Sequence, residues 1–161
     1  MFFYSLVDSF LGDILLVSDR KFLTGAYFIG QKNFPKINGR LVKTSDLEIF
    51  ANTKVQLEEY FNGKRKYFEI NYQLQGTMLQ KTVWEALTRI PAGETISYKE
   101  IASIIGKPQA IRAAANAIGG NQINLIVPCH RVIGSNGKLT GYSAGLQIKK
   151  QLLSLEKQYY L

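Results

Sequence analysis

The sequence predicts an α+β protein: a small N-terminal antiparallel sheet with one helix, then a mostly helical half containing a helix-turn-helix. Three observations predict it. The first 30 residues hold three short β-branched or aromatic runs separated by turn residues. Beyond residue 77 the apolar pattern takes helical spacing, with glycine and proline stops. Hydrophobic residues make up 46% of the 161, enough to bury a core and too many for a disordered chain.

The elements follow in order. Phe3 to Val7, Ile14 to Val17 and Thr24 to Ile29 read as strands, with turns at Leu11-Gly12-Asp13 and Ser18-Asp19-Arg20-Lys21. Residues 30–44, with Gly30, Pro35 and Gly39, read as a loop. Ser45-Asp46-Leu47-Glu48 has the capping-box pattern and opens a helix that Asn62-Gly63 stops. A domain boundary is placed at Gly76, giving an N-terminal domain of residues 1–76 and a C-terminal domain of residues 77–161. In the second half, Leu79 to Ile90 is an amphipathic helix ended by Pro91-Ala92-Gly93. Ser97-Tyr98-Lys99-Glu100 is a second capping box, for a helix to Ile105. Gly106-Lys107-Pro108 turns the chain into an alanine-rich helix, Gln109 to Ile118, whose only charge is Arg112. Two short helices on a tight turn make the helix-turn-helix. Gly145 to Lys157 reads as the last helix.

Composition narrows the function. The net charge is +8, and residues 77–161 carry ten basic and four acidic residues against ten and eight in residues 1–76. A basic half suits an anionic partner, with nucleic acid the first candidate, although a basic protein without that role has the same charge. No apolar run reaches the ~20 residues of a membrane helix, and the start, interrupted by Asp8 and Asp13, does not read as a signal peptide. One cysteine cannot form an internal disulfide, and with a single histidine it makes a structural zinc site improbable.

The chemistry concentrates in Ile126-Val127-Pro128-Cys129-His130-Arg131-Val132. The only cysteine is followed by the only histidine. A basic neighbour activates a thiol by lowering its pKa, so a depressed Cys129 pKa is expected. Side chains adjacent on a strand point to opposite faces; Pro128 and Gly134 supply a bend that would let the pair cooperate. The tripeptide equally fits a buried, inert cysteine beside a satisfied histidine. A cysteine protease would bring its histidine from a distant segment, and there is no second histidine.

Taken with its surroundings, this segment resembles the active-site signature of the O6-alkylguanine-DNA alkyltransferases. The likeness extends over most of the second half: Gly76-Thr77, Val83-Trp84, Ile90-Pro91-Ala92-Gly93, Ile96-Ser97-Tyr98, Ile101-Ala102, Gly106-Lys107-Pro108, Ala110, Arg112-Ala113, Asn121, Gly141-Tyr142, Gly145-Leu146, Lys149 and Leu152-Leu153 with Glu156. In the first half, Asp8-Ser9 and Leu11-Gly12 resemble the family's opening hairpin.

The resemblance implies a ribonuclease H-like N-terminal domain and single-turnover repair, in which an alkyl group moves from guanine O6, and from thymine O4, in DNA to Cys129. It implies that His130 polarises Cys129 through a water and that Glu156 orients His130. Tyr98 assists the departing guanine and helps extrude the nucleotide, which must leave the stack to be reached. Arg112 fills the gap, Asn121 braces the turn before the cysteine, and Ala110, Ala113 and Ser135 contact DNA. Val132, Tyr142, Ser143 and Ala144 form the substrate pocket, roomier for having alanine where many bacterial relatives carry tryptophan. Met78, Ala114, Ala115 and Gln122 also depart from the family's common residues. The implied partner is double-stranded DNA bound through its minor groove. A monomer is implied, with no cofactor, no metal, no membrane and no obligate protein partner, cytoplasmic in a bacterium or nuclear in a eukaryote. Two other readings remain: a non-catalytic alkyltransferase-like lesion binder, against which Cys129 argues, and a helix-turn-helix regulator with a structural cysteine.

Overall fold

The structure, a computed structural model, describes residues 1–161. Strands β1 (Phe2–Val7), β2 (Ile14–Ser18) and β3 (Leu23–Phe28) form an antiparallel meander, with Leu6 opposite Leu15 and Leu15 opposite Tyr27. All five residues of β2 are buried, as a central strand covered on both faces requires. A fourth strand, β4 (Leu41–Lys43), lies in the segment expected to be loop and pairs with β1 in parallel, so the sheet order is β3-β2-β1-β4. The antiparallel sheet expected from the sequence is present as β1 to β3, and β4 adds one parallel pair to it. The long connection after β3 is a crossover, which a parallel pair needs and a hairpin cannot supply. A three-residue edge strand has too little pattern to announce itself.

Helix α1 spans Glu48–Phe61 and starts on Leu47 without a side-chain cap. The Ser45 capping box does not form: Glu48 stands at the first helical position, not the third. The second half holds α2 (Met78–Leu87), β5 (Ile96–Ser97), α3 (Tyr98–Ile104), α4 (Ile111–Gly119), a 3-10 turn (Cys129–Arg131), β6 (Val132–Ile133) and α5 (Leu146–Tyr160). The second box is half realised: the Ser97 side chain accepts the Glu100 N–H and caps α3. A reciprocal box caps α2, between Thr77 and Gln80. Helices α3 and α4 are the helix-turn-helix, and the buried Trp84 indole of α2 donates to the Ala117 carbonyl of α4 at 2.8 Å.

One apolar cluster of 31 buried residues runs from Phe3 to Tyr160 and joins both halves of the chain. The outer edge of β3 is also used: Ala26 N–H donates to Gln122 C=O, and Asn124 N–H donates to Ala26 C=O. The sheet of the first half thus anchors the segment leading into Cys129.

Candidate active site

Residues 121–128 form a loop stapled from within. Asn121 donates its amide to the Val127 carbonyl at 2.8 Å and accepts the Ile123 N–H at 3.0 Å. Between these points Leu125 takes a left-handed backbone (φ 73), a conformation that costs an L-residue about 1–3 kcal/mol. Its side chain is buried, which helps to hold the strained turn. After Pro128 the chain enters the 3-10 turn, where successive side chains splay about 120° apart. Cys129 therefore lines a cavity, while His130 and Arg131 point back to α5.

The cavity has a volume of about 770 Å3. Tyr98, Arg112, Cys129, Ser135, Tyr142 and Ser143 line it, together with Lys32 and Asn33 from the first half. Tyr98 donates its hydroxyl to the Thr140 carbonyl at 3.2 Å, and Arg112 is exposed near the start of α4. The Tyr142 hydroxyl is buried without a hydrogen-bond partner. Other expected residues lie elsewhere. Ala110 and Ala113 are half-buried at the start of α4, away from the cavity lining. Val132 is fully buried, and it offers its backbone carbonyl to Lys149 rather than its side chain to the cavity. Ala144 packs half-buried against the core and does not line the cavity.

Behind the turn is a dry polar cluster. Glu156 Oε2 lies 2.7 Å from His130 Nε2, and both side chains are fully buried. Arg131 grips the same carboxylate with two N–H groups, Nε to Oε1 at 2.8 Å and Nη2 to Oε2 at 2.9 Å, and donates a third to the Ile90 carbonyl. Tyr60, from α1, donates its hydroxyl to Glu156 Oε2 at 2.5 Å. Burial pushes the Glu156 carboxyl up, but His130 and Arg131 outweigh it and hold the group well below the usual carboxylate range. Lys149 is buried as well, donating to the carbonyls of Val132, Thr140 and Gly141. Burial lowers its pKa to about 8.

The thiol itself corrects an expectation. Burial raises the Cys129 pKa, and the amide of Asn121 and the charge of Lys149 only partly oppose it. The thiol lies 3.5 Å from Asn124 Oδ1, to which it donates, and Asn124 is held in turn by Gln31. Burial likewise lowers the His130 pKa, with Glu156 pulling the other way. At rest the pair is therefore a protonated thiol beside a neutral imidazole. With Nε2 on Glu156, the free nitrogen is Nδ1, which has no protein partner. Sequence adjacency suggested a standing thiolate; burial of both side chains favours both neutral forms.

Four residues of this arrangement escaped the sequence reading: Tyr60, Arg131, Asn124 and Gln31. Arg131 stands inside the cysteine segment, where an arginine among apolar residues was a signal, but no role was read for it. Tyr60 and Gln31 gave none, since they act across 96 and 93 positions, and Asn124, five residues before the cysteine, has no distinguishing pattern around it.

Comparison with known proteins places the chain. Residues 78–158 match the model for the 6-O-methylguanine DNA methyltransferase DNA-binding domain, and residues 2–74 match that for the same family's ribonuclease-like domain. A Methylated-DNA--protein-cysteine methyltransferase of Methanosarcina barkeri is 46% identical over 155 residues, covering 96% of this chain and 97% of that protein. One of Mycobacterium tuberculosis is 45% identical over 157 residues, covering 98% and 93%. The crystal structure of Mycobacterium tuberculosis OGT in complex with DNA superposes with a TM-score of 0.91 at 41% identity, covering 98% of this chain and 94% of that one. The chain belongs to the 6-O-methylguanine DNA methyltransferase family.

Proposed function

We propose that this protein repairs DNA by direct reversal, moving an alkyl group from guanine O6 irreversibly onto Cys129, and is consumed in doing so. The observation that carries the reading is the 3-10 turn. It sets the only thiol at the wall of an open cavity and the only imidazole, backed by Glu156, on the dry side. In the transfer, the thiol proton passes to His130 through a bridging water. The sulfur electron pair forms the S–C bond as the C–O6 bond breaks, and guanine leaves with that bonding pair and takes up a proton. The thioether is stable, and the chain has no second thiol to take the alkyl group on.

The damaged nucleotide is flipped out of the duplex, since O6 cannot meet a sulfur recessed beside a cavity while it stays stacked. Arg112 takes its place, and Tyr98 meets the extruded base and assists guanine as leaving group. Asn121 holds the loop before Cys129, and Tyr142 and Ser143 shape the pocket. Ala110, Ala113 and Ser135 approach the DNA. The duplex is bound through its minor groove by a monomer, residues 77–161 acting as the DNA-binding and transfer domain and residues 1–76 as its N-terminal support. Thymine O4 is a second substrate position. No helix is long and apolar enough to cross a membrane, and the site of action is wherever the cell keeps its DNA.

Intact-protein mass after mixing with a duplex containing O6-methylguanine tests the reading. A gain of one methylene in wild type, absent from Cys129→Ala, is expected. No gain in wild type overturns it.

A further inference from the structure

The dry side of the Cys129 turn contains a contact that the transfer chemistry above does not use. Tyr60 lies on α1, in the first half of the chain, 96 residues from Glu156. Its ring is fixed on several sides: stacked on Tyr160 at 5.9 Å, and against Phe61 and Phe68 at 5.3 Å each. The Tyr160 hydroxyl also donates to the Tyr60 carbonyl at 2.5 Å. A ring so held has one direction in which to aim its hydroxyl, and that direction is Glu156 Oε2.

Three donors converge on that one oxygen: Tyr60, Arg131 Nη2 and His130 Nε2. Arg131 alone, gripping both carboxylate oxygens, suffices to hold the orientation of Glu156. The hydroxyl therefore does something other than hold the carboxylate in place. A hydrogen bond to a charged acceptor draws density from it, and His130 meets a carboxylate whose charge is already shared.

We propose that Tyr60 is a positioning residue of the alkyl transfer: by donating to Glu156 Oε2 it limits the pull of that carboxylate on His130 and keeps the imidazole a neutral base, ready for the Cys129 proton. The proposal rests on the alkyl-transfer reading, because only an attacking thiol needs a vacant proton acceptor. A protonated His130 has no site for that proton. The first half of the chain thereby sets the protonation state of a group in the second.

The groups facing this centre are few. From α1 comes Tyr60; from the 3-10 turn, Cys129 and Arg131; from the loop after β6, Tyr142; from α5, Lys149, Glu156 and Tyr160. Glu156 titrates far below neutrality and Lys149 at about 8. Burial raises the tyrosines and the thiol. Between these limits His130 alone changes charge.

The test compares wild type with Tyr60→Phe, which removes one oxygen and leaves the ring packing. Because the chain has a single histidine, nitrogen-15 NMR of its imidazole is unambiguous. In Tyr60→Phe the imidazole titration midpoint should rise by about half to one unit, so the transfer rate to methylguanine duplex should fall about three- to tenfold at acid pH. The deficit should close as pH rises toward 7.5 or so, still below the Lys149 range. Phe68→Leu loosens the same ring while keeping the hydroxyl, and should leave the midpoint in place. An unchanged midpoint in Tyr60→Phe, a rate ratio independent of pH, or an equal shift in Phe68→Leu would overturn the proposal. Wild type that transfers no alkyl group at any pH would instead sink the functional reading, and the imidazole midpoint would still report on Tyr60.

Discussion

The two faces of the Cys129 turn are built on opposite principles. The front is an open cavity lined by side chains from α3, α4 and the loops around them, with Arg112 exposed at its edge. The back is closed, charged and built around one carboxylate that three side chains grip. The difference teaches that recognition and reactivity are separable here. On the proposed function, front residues decide which base reaches the sulfur, and back residues decide where the proton goes when it does.

Predictions that break or sharpen this division run from large effects to small. Cys129 belongs to both faces, and Cys129→Ala should abolish transfer outright while gel-shift affinity for duplex DNA persists. Transfer by this variant would remove the premise of the comparison.

Next is a change confined to the back. Arg131→Met leaves the Glu156 charge buried with one partner fewer, and breaking a buried pair in this way costs about 3–5 kcal/mol. Denaturant unfolding should show that loss, with the DNA contacts of the front untouched. A variant as stable as wild type would mean that water reaches the cluster.

A front change should act differently. Arg112→Ala should slow repair in duplex DNA about tenfold or more, a step of ~1.4 kcal/mol per decade, out of the few kcal/mol that flipping costs. Transfer from free methylguanine base should stay near wild type. Equal losses in the two assays would assign Arg112 to chemistry.

The thiol reports on the back without DNA. Because burial raises its pKa, the thiol form dominates below that value. Modification by a small neutral electrophile should rise with pH and reach its midpoint above the ordinary ~8.5. A midpoint at or below that value would restore the standing thiolate that the sequence suggested.

The smallest effect is expected at Ala144, half-buried beside Ser143 and outside the cavity lining. Ala144→Trp should reduce inactivation by free benzylguanine by only a few fold, and leave methyl repair unchanged. A large loss for benzyl would show that an indole there swings into the cavity.

This division also explains what could be read from sequence. Cys129 was legible from the residues themselves, as the only thiol beside the only histidine. Tyr98, Arg112, Tyr142, Ser143 and Glu156 were legible only through resemblance. The back was illegible because it is made of distant meetings. Tyr60 reaches Glu156 across 96 positions, and Gln31 reaches Asn124 across 93. No periodicity encodes such pairs. The thiol pKa failed for a related reason: a neighbour in sequence is visible, whereas burial in the fold is not. In the fold, helices with caps and stops were read to within a few residues, and the three-residue β4 was missed because it has almost no pattern.

One feature of the packing has an optical consequence. Trp84 is the only tryptophan in the chain, fully buried, with its indole N–H on the Ala117 carbonyl of α4. Indole emission follows the polarity and hydrogen bonding around the ring. The protein therefore contains its own fluorophore, wired to the helix that carries Arg112. Any tilt of that helix on meeting a duplex would lengthen the hydrogen bond and shift the emission, so docking could be timed by stopped flow on unlabelled protein.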